Sequence, residues 1–232
     1  NVASIIGEAV VATEEEMAFG RTSIGAYKYK SGVFAISNEL LTDSNVAVIP
    51  LITKATGARF QRAWNLHFTK GTNSGQPQGI VPGLIAAGGT TSIAATALAA
   101  DNLIDLVHSL NAAYRFGSKF MLNDVTLSAI RKLKDGDGNY LWQMGDISKG
   151  VPDTLLGYPV AVNYDMDGIA TSKVSVLFGN YTSAYTIRRA GEFALRRSEE
   201  FKFDSDEVAF VSFARVDGKL LLPAAVKGLQ HA

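Results

Sequence analysis

Thr72–Val81 reads TNSGQPQGIV, and the fold turns on how this stretch is read. It holds two glycines, one proline, two glutamines and one asparagine, carries no charge, and ends on two β-branched residues. That composition is turn chemistry. A Walker-type phosphate loop ends in GK[ST], so that lysine and hydroxyl reach phosphate and magnesium. Lys70–Gly71–Thr72 has such residues in the wrong order and follows a helical pattern instead of preceding one. No GxGxxG and no GxSxG occurs anywhere in the chain. The stretch therefore reads as a structural turn and not as a ligand cradle.

Upstream, Ser37–Asn38–Glu39 is a helix start, a capping hydroxyl followed by an acidic first turn. Apolar and small residues then recur at Ile49, Ile52, Thr56, Phe60, Ala63, Trp64 and Phe68, which predicts one long amphipathic helix. Pro50 either kinks it or opens a fresh first turn, and Gly71 ends it. Before the helix, Arg21–Ile36 nearly alternates, with Tyr27, Tyr29, Val33 and Phe34 among Lys28, Lys30 and Ser31. This predicts a strand ribbon with a turn or bulge at Ser31–Gly32. Both of its faces carry polar groups, so the ribbon is expected to reach another subunit.

Downstream, residues 79–100 are uncharged but hold Pro82, four glycines and a Thr90–Thr91–Ser92 run. They read as loop and tight packing, not as a bilayer helix. Helices follow at Asp101–Leu110, with Leu103, Leu106, Val107 and Leu110 inward, and at Asp124–Lys134, capped by Asn123. From Tyr158 onward the pattern is strand-rich, and Asp217–Gly218 reads as a hairpin turn. Helices and strands are segregated, which gives an α+β fold.

The 232 residues suffice for one large domain or two modest ones, and 47% are hydrophobic, as in an ordered globular protein. Lys+Arg and Asp+Glu are 22 each. A neutral chain has no overall basic field for nucleic acid, and little repulsion opposes its self-association. There is no cysteine, which excludes disulfides and thiolate chemistry. No charged leader precedes an apolar core at the N-terminus, so no signal peptide is read.

Candidate chemistry thins out on inspection. His67, His108 and His231 have no metal-ligand spacing. Asp135, Asp137, Asn139 and Asp146 imitate a calcium loop, but Tyr140 stands where the sharp turn needs glycine. Glu14, Glu15 and Glu16 are consecutive, so their side chains diverge and read as a solvated charge run. Arg188–Arg189 and Arg196–Arg197 on opposed strands would make a local basic patch for carboxylate or phosphate. Asn180–Tyr181–Thr182 matches a glycosylation acceptor without a secretory route. No catalytic constellation remains, and no cofactor or metal is expected.

The order of features then carries the reading. Gly75–Gln76–Pro77–Gln78–Gly79–Ile80, Leu122–Asn123, Leu133–Lys134–Asp135 with Gly138–Asn139–Tyr140, Gly157–Tyr158–Pro159–Val160, and Arg215–Val216–Asp217–Gly218 with Pro223, Ala225 and Val226 occur in sequence. In this order they closely resemble tailed-bacteriophage major capsid proteins of the Hong Kong 97 fold, from about Arg21 to Leu229. The resemblance implies an N-terminal arm and extended loop over 1–36, lying on a neighbouring subunit. It implies a peripheral domain with a long spine helix at 37–80, an axial domain at 81–209, and C-terminal strands at 210–232 returning to the peripheral domain. Hexamers and pentamers of an icosahedral head around double-stranded DNA are implied as the function. Portal, scaffolding, protease and decoration proteins are the implied partners, with no membrane, and the implied location is the virion capsid, assembled in the host cytoplasm. Inter-subunit contacts are expected at Glu14, Glu15, Glu16, Arg21, Lys28, Lys30, Arg188, Arg189, Arg196 and Arg197. The lysine–asparagine cross-link of some members finds no matching pair here, so a non-covalent shell is expected. A start at Asn1 suits a chain processed by protease. Two other readings stand beside this one. One is an encapsulin-type compartment shell, and the other is a soluble enzyme using the arginines for an anionic substrate.

Overall fold

The computed structural model describes residues 22–43, 47–93, 98–134 and 154–232. Two sheets, with a long helix against the smaller one, organise them. The smaller sheet is built on β9 (Glu207–Leu220), a 14-residue strand. β1 (Tyr27–Ser37) runs antiparallel along one edge of it, from Tyr27 opposite Val216 to Ser37 opposite Glu207. Along the other edge lie β7 (Tyr185–Arg189) and β8 (Ala194–Lys202), end to end and both antiparallel to β9.

Three expectations are decided here. Of the turn or bulge expected at Ser31–Gly32 the structure takes the bulge, and from Tyr27 the segment is a single strand paired within its own molecule instead of reaching another subunit. The register breaks between Lys30 and Val33, where Ser31 and Gly32 oppose one residue. Gly32 takes φ +88°, and the Ser31 hydroxyl accepts the Ser212 amide at 3.0 Å, filling the gap that the bulge leaves in the ladder. Asp217–Gly218 is not a turn either, because β9 runs straight through it. Asp217 is buried, and its carboxylate accepts the Gly25 and Gly218 amides at 2.6 and 2.8 Å, so its turn-forming hydrogen bonds hold a strand instead. Third, of the two alternatives for Pro50 the structure takes the fresh first turn, giving α1 (Asn38–Asp43) and α2 (Val48–Lys70). Pro50 is the third residue of α2, where the missing N–H has no helical partner to lose.

α2 buries Ile52, Thr56 and Phe60, with Ile52 packed on Val208 and Phe210, while Ile49, expected inward, is exposed. Alternation along β9 sends its even-numbered residues toward α2 and its odd-numbered ones outward. Edge-to-face rings extend the contact, Tyr29 on Trp64, Phe60 on Phe193 and Phe68 on Tyr185.

The larger sheet runs in the order β2 (Thr90–Ile93), β10 (Val226–His231), β6 (Val174–Gly179), β3 (Lys119–Leu122), β5 (Tyr158–Val162) and β4 (Thr154–Leu155). Every residue of β6 is buried, because both faces are covered. One face takes α4 (Ala100–Ser109) and α6 (Asp124–Arg131), with Leu106, Leu110, Phe120, Leu127 and Phe178 among the core. The other takes α3 (Ile80–Ala86), with Leu84, Leu177 and Val226. Asn123 caps α6 as expected, its side chain accepting the Val125 amide at 3.0 Å. The short helices α5 (Ala112–Arg115) and α7 (Tyr181–Ala184) flank β3 and β7. Sheet membership crosses the expected domain limits. Residues 185–202 belong to the smaller sheet, and β10 lies inside the larger one. Strand pairing with β9 draws the first across, and pairing with β6 the second.

Candidate assembly surface

The Thr72–Val81 turn is tied into its own fold through Gln78 and Gly79. Gln78 donates its amide to Gly218 O at 3.1 Å, receives the Tyr185 hydroxyl on its carbonyl at 2.5 Å, and takes the Leu220 amide on its side chain at 3.4 Å. Thr72 and Gln78 bridge, and the Gly79 amide donates to Gly71 O at 2.7 Å. A ligand would have to displace β9 to reach these groups. The loop turns the chain from α2 into α3, as its composition suggests.

A second staple ties α2 to the larger sheet. After β5, Asn163 donates to Thr69 Oγ1 at 2.9 Å and accepts from Asn65 at 2.7 Å. Asp165 accepts from Asn65 at 2.5 Å, and Asp167 pairs with Lys70 at 2.7 Å. Asn123 holds the same turn by donating to the Tyr164 and Met166 carbonyls. These groups look like a polar site, but each is committed to joining helix and sheet.

The face of the smaller sheet opposite α2 is different. Outward alternation places Lys28 and Lys30 of β1, Phe213, Arg215, Asp217 and Lys219 of β9, and Arg188 and Arg196 of β7 and β8 on it. Residues 22–26 cross one end of this face as a strap. Gly25 is held by Asp217, Ile24 O by Arg188 at 2.8 Å, and Ser23 O by Lys219 at 3.3 Å. Beside the strap lies a concavity of about 400 Å³ with Phe213 at its floor, lined also by Lys28, Glu192, Arg196 and Arg215. Lys28 Nζ sits 4.5 Å, and the Arg196 guanidinium 5.8 Å, from the Phe213 ring centre.

The expected contact residues therefore separate. Glu14, Glu15, Glu16 and Arg21 lie outside the described residues. Lys28, Lys30, Arg188 and Arg196 share the outer face. Arg189 and Arg197 do not join them, which corrects the four-arginine patch. β7 and β8 are collinear instead of opposed, and the pleat sends neighbouring residues to opposite faces. Arg197 pairs with Glu199 at 2.7 Å. Arg215, Lys219 and Phe213 were missed, although the period-2 pattern of FVSFARVDGKL, read straight through Asp217–Gly218, would have found them.

On the α2 side, Tyr29 meets His67 Nδ1 at 2.6 Å, joining β1 to the helix. Burial, with added repulsion from Asp217 and Tyr27, pushes the Tyr29 hydroxyl up to about 12. Tyr185 is raised for the same first reason, then by Asp217 and Tyr29, and Tyr181 is raised by burial. These shifts keep the phenols neutral and are consequences of packing. Among the described residues no group of three or more acidic or imidazole side chains could hold a metal ion, and no helix is long and apolar enough to cross a membrane.

The model of the Phage capsid family matches residues 1–231. The chain belongs to the phage capsid family. Among solved structures, this capsid protein is similar to the capsid of an empty GTA particle, with 29% identity and a TM-score of 0.82, over 99% of this chain and 81% of that one. The capsid of the native GTA particle is similar at 28% identity and TM-score 0.78, over 90% of this chain and 73% of that one. A chain from Gordonia phage Cozz shares the fold at 17% identity and TM-score 0.67, over 100% of this chain and 78% of its own. No curated protein sequence matches. The chain is thus a structural, non-enzymatic capsid shell protein with an α+β, Hong Kong 97-like fold, which self-associates in the virion capsid.

Proposed function

We propose that this chain is the major capsid protein of an icosahedral phage head, forming hexamers and pentamers around double-stranded DNA. The observation that carries the reading is the match of the whole chain to capsid proteins, supported by an outer face whose cations are left open beside the strap. Many modest interfaces then close into one symmetric object, so none need be tight. In this reading α2 and the smaller sheet form the peripheral domain, and the larger sheet with α4 and α6 the axial domain. Residues upstream of Thr22 supply the arm to a neighbour, with Glu14–Glu16 and Arg21 among its contacts. Assembly takes place in the host cytoplasm with scaffolding or protease and portal partners, and decoration proteins bind outside. DNA contact is sequence-independent, as a neutral chain allows.

Negative-stain microscopy of the purified protein tests this directly. Closed shells holding nuclease-resistant DNA are expected in particles from infected cells. A small monodisperse species at high concentration would reject it, and shells holding an enzyme cargo would favour a storage compartment.

A further inference from the structure

The smaller sheet carries opposite charges at its two ends. The segment Glu199–Glu207, EEFKFDSDE, holds five carboxylates against one lysine. It forms the end of β8, a 3-10 turn at Phe203–Ser205, and the start of β9, with Asp206 in the left-handed region at φ 50°. The tip is pinned: the Asn38 side chain donates to Asp206 Oδ1 at 2.9 Å, and Lys202 pairs with Glu207 at 3.9 Å. Phe201 and Phe203 are nevertheless 65% and 87% exposed. Two exposed aromatics beside Glu200 and Asp204 are the composition of an interface anchor. Glu200 and Asp204 make no ion pair among the described residues.

The outer-face concavity is its complement. Lys28, Arg196 and Arg215 outnumber Glu192 around an aromatic floor. The two surfaces of one molecule cannot meet, because β8 and β9 are laddered together between them. At about 3.3 Å per residue, the six residues from Phe213 to Glu207 hold tip and cavity roughly 20 Å apart. Only a second copy can bring them together.

We propose that the acidic, aromatic β8–β9 tip of one copy seats in the Lys28–Arg196–Arg215 concavity of another, with Phe203 approaching Phe213 and Glu200 and Asp204 meeting the cations. Such a contact is heterologous, since the two surfaces differ, and it propagates around a symmetry axis until it closes. It rests on the shell reading and specifies one of its contacts.

Because the chain has no cysteine, disulfide trapping tests this cleanly. Ala194→Cys in the cavity and Ser205→Cys at the tip are too far apart within one molecule for an S–S bond, which needs Cα atoms within about 7 Å. Mild oxidation of particles carrying both substitutions is expected to give a ladder of covalent oligomers on non-reducing gels, and either substitution alone none. A ladder from Ala194→Cys with Glu15→Cys, and none with Ser205→Cys, would overturn the tip as occupant in favour of the N-terminal acidic run. A second arm reverses charge: Glu200→Lys with Asp204→Lys, or Arg196→Glu with Arg215→Glu, should each lower particle yield about tenfold or more. The four together should restore it, while thermal melting of the subunit stays unchanged throughout. Normal yield from either reversal, or no recovery in the combined variant, overturns the contact and leaves the shell reading standing. Absence of particles from the unaltered chain overturns both.

Discussion

Gly79→Ala isolates the physics of the turn at the centre of the fold. Gly79 has φ −70° and ψ 152°, a conformation open to any residue, so backbone strain plays no part. The space is what fails. A methyl there would stand 2.5 Å from Gly71 N, 2.6 Å from Thr69 O and 2.7 Å from Lys70 N. All three are backbone atoms at the end of α2 and cannot rotate aside. Separating them to ordinary contact, by roughly half an ångström or more, is an overpacking change of about 1–3 kcal/mol. The displaced segment also carries the Gly79–Gly71 hydrogen bond and the Gln78 amide bond to Gly218 O, at about 1 kcal/mol each. The sum is about 3–5 kcal/mol, which lowers the melting temperature by roughly 10 °C in a chain of this size. Gly75→Ala is the control. Gly75 sits at φ +68° with nothing near its missing methyl, so only the left-handed conformation is penalised, at about 1 kcal/mol. Thermal melting of the unassembled subunit, followed by far-UV circular dichroism, measures both. Equal losses in the two variants, or a loss under about 1 kcal/mol in Gly79→Ala, would refute the close-approach account.

Three further outcomes follow from the packing. Phe120→Ala removes a fully buried ring 4.6 Å from Phe178, and urea unfolding should show a loss of about 3–5 kcal/mol. Asp217→Ala should release the strap, so that hydrogen exchange at Ile24 and Gly25 rises at least tenfold while the core amides of β6 are unchanged; protection that persists would mean Arg188 and Lys219 hold the strap alone. Tyr29 has a folded-state pKa above its unfolded value of 10, so the fold favours the neutral phenol; its contribution is fully present below pH 10 and is lost as pH rises toward about 12. Stability of the Tyr29→Phe variant should therefore fall less than wild type over that window in pH-dependent melts.

Local signals survived into the structure where one element decided them. Asn123 caps α6 because an amide side chain two residues from an open N–H needs nothing else, and Leu103, Leu106, Val107 and Leu110 face inward because one helix face was apolar. The misreadings share one cause, a tertiary partner that overrides a local preference. Asp217–Gly218 has hairpin chemistry, but Tyr185 and Phe68 press on Gly218 where a side chain would stand, and the Asp217 carboxylate is taken by Gly25, 192 residues away in sequence. Ser31–Gly32, whose chemistry allows a turn or a bulge, takes the bulge because β9 pairs on both sides of it. Neither partner lies within reach of a window of ten or fifteen residues.

Net charge misleads for a related reason. A count of 22 against 22 suggests a surface without electrostatic preference. Strand alternation sorts those charges before they reach the surface. Lys28 and Lys30 at even positions of β1 register with odd positions of β9, which carry Arg215 and Lys219, so all four share one face, and Arg188 and Arg196 join them from the opposite edge through register with Asp217 and Val211. Eight of the 22 carboxylates are gathered at the β8–β9 tip and in the Glu14–Glu16 run. Overall neutrality thus hides local fields of opposite sign, each screened over about 10 Å at moderate salt. A neutral molecule so divided meets little net repulsion from its copies, and its attraction to them depends on orientation. That suits a subunit that must meet its neighbour in one register.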